Sequence, residues 1–71
     1  MQYLVVLEKG PTSFGAYVPD LPGCVATADT RGEALLLIRE AIALHIEELR
    51  QTGQLVPLPS STGETIDVHA A

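Results

Sequence analysis

A proline-rich turn with a helix start soon after it constrains this 71-residue chain more than any other feature. The turn spans Val18–Cys24, where Pro19 cannot donate a hydrogen bond to a strand ladder and so ends the strand before it. Leu21–Cys24 suits a type II turn, because proline occupies its second position and Gly23 the position that needs a positive φ. The spacing predicts two strands joined by a sharp reversal.

Apolar segments on both sides of this turn predict three strands in chain order. We expect them over Gln2–Glu8, Phe14–Val18 and Cys24–Ala28. The first has Tyr3 and Val5 on one face and further aliphatic side chains on the other, which is typical of a strand covered on both sides. Sequential strands with short connections favour an antiparallel meander.

A long amphipathic helix is predicted after the third strand. Thr30 suits the N-cap, and Glu33 three residues later fits the capping-box pattern. The helix is expected to end near Gln51 or Thr52, because Gly53 suits the position just beyond a helix end. Its apolar stripe consists of Ala34, Leu35, Ile38, Ala41, Ile42, Ile46 and Leu49.

The residues after the helix predict an extended connection and a short last strand. Pro57 and Pro59 favour a polyproline-like path, and Thr65–His69 alternates between apolar and polar side chains. A right-handed crossover would place this fourth strand parallel to the first and beside it. The predicted fold class is therefore α+β: a three-stranded antiparallel meander, one long helix on one sheet face and a short fourth strand, in the order β-β-β-α-β.

Length and charge limit what the chain can do. Its 71 residues predict a single domain over residues 1–71. A net charge of −5 disfavours direct binding to nucleic acid and suits a partner with a basic surface. The lone Cys24 can form no intrachain disulfide, and no segment suits a signal peptide or a membrane span, so a cytoplasmic protein is expected.

The apolar surface exceeds what one helix can cover on one sheet face. Uncovered apolar patches usually mark association sites, so we expect a homo-oligomer, with a dimer favoured. The predicted oligomer surface consists of Tyr3, Val5, Leu37, Leu44 and His45.

The order and spacing of these motifs resemble the HicB-like antitoxin family over nearly the whole chain. The residues that carry the resemblance are Val18–Cys24, Glu33-Ala34, Glu40-Ala41, Leu49, Gly53, Pro57 and Pro59-Ser60. The resemblance implies a fold like a partial ribonuclease H unit. It also implies a stand-alone domain, because the DNA-binding domain that many relatives carry is not expected in residues 1–71.

The family resemblance implies a non-enzymatic antitoxin that binds and neutralises a small, basic, RNA-cleaving toxin of the HicA type. Inhibition then means covering the basic active surface of the toxin, which an acidic domain suits. The predicted partner-binding residues are Asp20, Leu21, Pro22, Glu40 and Glu47. No catalytic residue, metal ligand or cofactor site is predicted.

Two alternatives stay open at this point. One is an orphan oligomeric module that binds a small ligand or another protein and has no toxin partner. The other is a metal-dependent hydrolase, which would need carboxylates such as Glu8, Asp20 and Asp67 to converge on divalent ions.

Overall fold

The three predicted strands form one antiparallel sheet. The computed structural model describes residues 1–69, in which β1 covers Val6–Lys9, β2 covers Phe14–Tyr17 and β3 covers Val25–Ala28. The strand order is β1-β2-β3, with both neighbouring pairs antiparallel. This is the predicted antiparallel meander. The last two residues of the domain predicted over residues 1–71 lie outside the described residues.

The strands are shorter than the alternation predicted, because the chain leaves the ladder before Pro19. Tyr17 is the last residue of β2 and pairs with Val6, so residues 2–5 run past the end of their partner strand. The next residue, Val18, instead donates its N–H to the carbonyl of Cys24 at 3.2 Å.

One helix, α1 (Arg31–Gln51), begins and ends where the sequence predicts. The Thr30 hydroxyl oxygen accepts the N–H of Glu33 at 3.1 Å, which is the expected N-cap bond. At the other end Gly53 has a φ of 72°, and the residue after it donates its N–H to the Leu49 carbonyl at 2.8 Å. This pattern satisfies the last carbonyls of the helix. No helix in the described residues has the length and apolar character to cross a membrane.

The core lies between α1 and the face of the sheet that β2 and β3 present to it. Its fully buried members are Ala16, Val18, Leu21, Cys24, Ala34 and Ile38. Leu21 and Ile38 are the largest of these and have almost no exposed surface. Burial of a side chain of that size contributes about 1.5–3 kcal/mol, so these two dominate a small core.

Within residues 1–69, no helix lies over the opposite face of the sheet. A row of apolar side chains crosses it, because Val6 pairs with Tyr17 and Tyr17 with Val25 in the two ladders. Tyr17 is 38% exposed and Val25 is 66% exposed. One helix and one sheet therefore make an α+β fold in which only one sheet face is covered.

The fourth strand predicted over Thr65–His69 is not formed, and this expectation was wrong for the isolated chain. Ile66 is 78% exposed and Val68 is 82% exposed, so neither side chain packs on the sheet. Alternation gives a segment two distinct faces, but a strand also needs an edge to pair with. The likeness to a partial ribonuclease H unit stays a prediction.

Replacing Ile38 with alanine should lower the free energy of unfolding by about 2–5 kcal/mol, because it leaves a cavity in a closely packed core. Leu36 is the matched control on the same helix, since it is 57% exposed, and Leu36→Ala should change the free energy by about 0.5 kcal/mol or less. Urea denaturation measures both. Equal losses from the two variants would contradict this description of the core.

Candidate functional site

The turn between β2 and β3 has the geometry that its prolines and glycine predict. Cys24 donates its N–H to the carbonyl of Leu21 at 3.1 Å, and Gly23 between them has a φ of 83°. Leu21 in turn donates its N–H to the Val18 carbonyl at 3.1 Å. These bonds fix the turn and bury the Leu21 side chain completely.

Asp20 links this turn to the connection that follows the helix. One carboxylate oxygen, Oδ2, accepts the backbone N–H groups of Ser60 and Ser61, both at 2.9 Å. The other oxygen, Oδ1, accepts the two serine hydroxyls at 3.1 and 2.8 Å. We call this set of four bonds the Asp20 clamp. It joins residues that are 40 and 41 positions apart in the chain.

The clamp favours the charged form of Asp20. The backbone N–H of Ser61, then that of Ser60, and then the hydroxyls lower the pKa of Asp20 from 3.8 to about 2, against a small opposing effect of burial. A carboxylate has about four lone-pair positions, so four donors inside the chain satisfy it. Asp20 is therefore a structural anchor in this conformation.

The three predicted partner-binding residues of the turn are thus placed very differently. Asp20 is engaged by the two serines, and Leu21 has no exposed surface with which to touch another molecule. Pro22 is exposed on the outside of the turn. Cys24 is buried, and burial raises the pKa of its thiol, which makes it a poor nucleophile.

Glu40 and Glu47 lie on the outer face of α1. Both are exposed, and their spacing of seven residues puts them on the same side of the helix. Glu33 lies seven residues before Glu40, on the same side of the helix, and is also exposed. The sequence analysis assigned Glu33 only to the helix cap. With about 1.5 Å of rise per residue, these three carboxylates form an acidic stripe roughly 21 Å long.

The residues of the predicted oligomer surface do not form one patch. Tyr3 and Val5 pack against the core from the β1 side, and the Tyr3 hydroxyl donates to the carbonyl of Pro57. Leu37 and Leu44 share another side of α1 and are 41% and 63% exposed. His45 is half-buried.

An open groove of about 770 Å³ lies between the N-terminal residues and the helix. It exists because α1 packs on β2 and β3 rather than over the start of β1. Its apolar lining includes Val5, Leu35 and Ile42, and residues 61–63 form part of its rim. Gly63 is packed there, since a Cβ on it would lie 3.4 Å from Leu4 Cδ1.

Sequence reasoning missed two features of this region. The Asp20 clamp was not predicted, although a turn aspartate and a pair of serines are a donor and acceptor set that can meet. The exposed Tyr17 and Val25 were also missed, because the predicted oligomer surface took Tyr3 and Val5 from the first strand, and these pack against the core instead. Across residues 1–69 no three or more His, Cys, Asp or Glu residues lie close enough together to hold a metal ion.

Comparison with known proteins places the chain in a family. The family model for the HicB-like antitoxin of bacterial toxin-antitoxin systems matches residues 3–70. The chain belongs to the HicB-like antitoxin family. This confirms the resemblance that the turn and helix motifs indicated.

Three relatives show how much of a HicB-like protein this chain represents. A UPF0150 protein of Thermoplasma acidophilum is 38% identical over 71 residues, which cover 99% of this chain and 100% of that protein. A protein named Antitoxin HicB 2, of Photorhabdus laumondii, is 31% identical over 100% of this chain. A UPF0150 protein of Synechocystis is 45% identical over 78% of this chain and 71% of the relative. The chain spans only 52% of the Photorhabdus antitoxin.

Replacing Asp20 with asparagine should lower stability in a pH-dependent way. Because the pKa of Asp20 is lower in the folded chain, its contribution is complete above the unfolded value of 3.8 and is lost as the pH falls through about 2. The stability difference between the native chain and D20N should therefore be constant from pH 7 to about 5 and shrink between about 4 and 2. Urea denaturation at fixed pH values measures it.

The control for this series is Asp67→Asn, which neutralises an exposed carboxylate in the tail. It should leave the free energy of unfolding almost unchanged. A D20N variant as stable as the native chain at pH 7 would show that the HicB-like domain does not depend on the clamp.

Replacing Gly23 with alanine should cost about 1–2 kcal/mol, because the left-handed backbone there strains any residue with a Cβ. Nothing lies within 4 Å of the added methyl group, so the loss reports the backbone alone. Gly32→Ala is the control: it also meets nothing within 4 Å but lies in α1, where alanine should stabilise by about 0.5–1 kcal/mol. Thermal unfolding should give opposite signs for the two variants.

Proposed function

We propose that this HicB-like chain is a non-enzymatic antitoxin that binds a small RNA-cleaving toxin of the HicA type and neutralises it. Family membership supports the antitoxin role, and the net charge of −5 is the observation that carries the choice of partner. A protein that cleaves RNA needs basic side chains to hold the phosphate backbone. An acidic domain that covers those side chains competes directly with RNA.

The outer face of α1 is the surface that suits this partner best. The acidic stripe of Glu33, Glu40 and Glu47 supplies charge along most of its length. Leu36, 57% exposed, lies beside the stripe, and Leu44, 63% exposed, flanks it on one side. Carboxylates next to exposed leucines provide both parts of a protein interface, an apolar centre and a polar rim.

The turn supplies a smaller part of the proposed interface than α1 does. Pro22 is exposed and rigid, so it can contact a partner without an ordering cost. Asp20 and Leu21 support that contact by holding the turn in shape. We expect the complex to form in the cytoplasm, where an RNA-cleaving toxin meets its substrate.

Co-expression with any small basic reading frame found beside this gene tests the proposal. The expected result is a stable complex on affinity purification and relief of the growth arrest that the toxin alone causes. If the adjacent frame encodes an RNA-cleaving protein and neither result is seen, the antitoxin role is wrong for this chain. The orphan-module alternative would then be favoured.

The charge-reversed variant Glu40→Lys with Glu47→Lys should weaken toxin binding. Opposite fields accelerate encounter, so the association rate constant should fall roughly tenfold or more at low salt. The difference from the native chain should shrink as salt rises, because exposed charges are screened. Surface plasmon resonance at several salt concentrations measures it.

The matched control is Asp29→Lys with Asp67→Lys, which makes the same change in net charge at two exposed residues outside α1. It should lower the association rate constant much less than the helix variant. Equal effects would show that net charge alone, and not the outer face of α1, guides the toxin.

A further inference from the structure

Residues 64–69, which we call the arm, leave the body of the fold with two aliphatic side chains in solvent. Ile66 is 78% exposed and Val68 is 82% exposed. The radius of gyration is 14.2 Å, whereas a compact domain of this length has about 11 Å. The longest dimension is 52 Å, twice the next of 26 Å. The arm is thus a segment in which apolar and polar residues alternate, and its two aliphatic side chains are not covered by its own chain.

The sheet has an open edge at β1. Within residues 1–69, β1 pairs with β2 on one side and with no strand on the other. An edge strand presents unpaired N–H and C=O groups that another strand can use. The arm has six residues and β1 has four, Val6–Lys9, so the edge can pair with most of the arm.

The groove lies beside this edge, on the side of the sheet that α1 occupies. It is lined by Val5, Leu35 and Ile42, with about 770 Å³ of open space. Ile66 and Val68 are two residues apart, so in a strand they point to the same face. A strand added along β1 with that face toward α1 would put both side chains into the groove and leave Thr65, Asp67 and His69 on the solvent side.

The root of the arm is held in place at this same edge. The Asp20 clamp fixes Ser60 and Ser61, and Gly63 packs against Leu4. The arm therefore starts beside the residues that lead into β1, but it forms no strand there, and Ile66 and Val68 stay exposed. Every chain thus carries one free arm and one free groove with a free edge.

We propose that the arm of one chain adds as a β-strand along β1 of a second copy, with Ile66 and Val68 in the groove of that copy. The exchange is reciprocal about a two-fold axis, so both arms and both edges are used and no open β1 edge remains. This arrangement supplies the fourth strand that the sequence pattern predicted, from another molecule. It does not depend on the proposed toxin.

Light scattering coupled to gel filtration tests the exchange at tens of micromolar protein. The native chain should elute as a dimer. Ile66→Asp with Val68→Asp should weaken dimerisation on the order of 1,000-fold or more, because each dimer loses four buried aliphatic side chains. Thr65→Asp with His69→Asp adds the same number of aspartates on the other face of the arm and should leave the dimer intact.

A monomeric native chain would overturn the proposal, as would a dimer that survives the Ile66 and Val68 substitutions. Circular dichroism should show that all variants keep the helix, since the arm lies outside the core. If both double variants lose the dimer to the same extent, the added charge and not the burial of Ile66 and Val68 explains the loss. That result would also overturn the proposal.

A spin label separates exchange from folding back within one chain. His69→Cys can be labelled selectively, because Cys24 is buried and its thiol pKa is raised by that burial. When labelled chains are mixed with unlabelled, isotope-enriched native chains, exchange should broaden the β1 amide signals of the enriched chains. Unbroadened β1 signals in the enriched native chains, together with broadened β1 signals when the labelled chain is itself enriched, would show that the arm pairs with its own sheet and would overturn the exchange.

Discussion

The four hydrogen bonds that Asp20 accepts from Ser60 and Ser61 determine where the chain goes after its helix. The set is strong, because two backbone N–H groups and two hydroxyls donate to one ionised carboxylate. The turn side of the clamp is itself fixed, since Leu21 beside it is fully buried and Gly23 sets the reversal. Asp20 thus links the core to the residues that follow the helix. Residues 61–63 of that connection form part of the rim of the groove.

A single helix over a three-stranded sheet leaves more apolar surface than it covers. Six hydrophobic residues are buried in the part of the chain that the structure describes, and Leu21 and Ile38 are the largest that are fully buried. Domains of this size bury about 60% of their unfolded surface, so each buried side chain carries a large share of the stability. Tyr17 and Val25 on the uncovered sheet face, and Leu37 on the helix, stay available for association. Any molecule that binds the folded chain on these residues adds to its stability.

Local chemistry explains which parts of this structure the sequence predicts. Thr30 and Gly53 set the helix ends through bonds between residues within five positions of each other. The local sequence is therefore enough to place the two helix ends. Pro19 and Gly23 act in the same way on the turn. Strand ends are less predictable, because β1 can be no longer than the partner strand that Pro19 cuts short.

The features that sequence reasoning missed all depend on residues far apart in the chain. The Asp20 clamp joins positions 40 and 41 residues apart, and no local pattern indicates which acceptor two serines will find. The alternation of Thr65–His69 was recognised as strand-like, but alternation does not identify the edge that the segment pairs with. Asp20 and Ser60 both belong to the motifs that carry the resemblance to the HicB-like family, and only the structure shows that they touch.

The proposed uses of the surface are compatible, because they occupy different sides of the helix. The groove lies on the side of Leu35 and Arg39, whereas Glu40 and Glu47 face outward. Pairing two chains of net charge −5 gives −10 in one dimer, which opposes association through like-charge repulsion. A basic toxin bound to each outer face would reduce that repulsion. By linkage, a partner that stabilises the dimer must also bind the dimer more tightly than the monomer. If both proposals hold, the acidic charge that attracts the proposed toxin would therefore also couple its binding to the proposed exchange of arms.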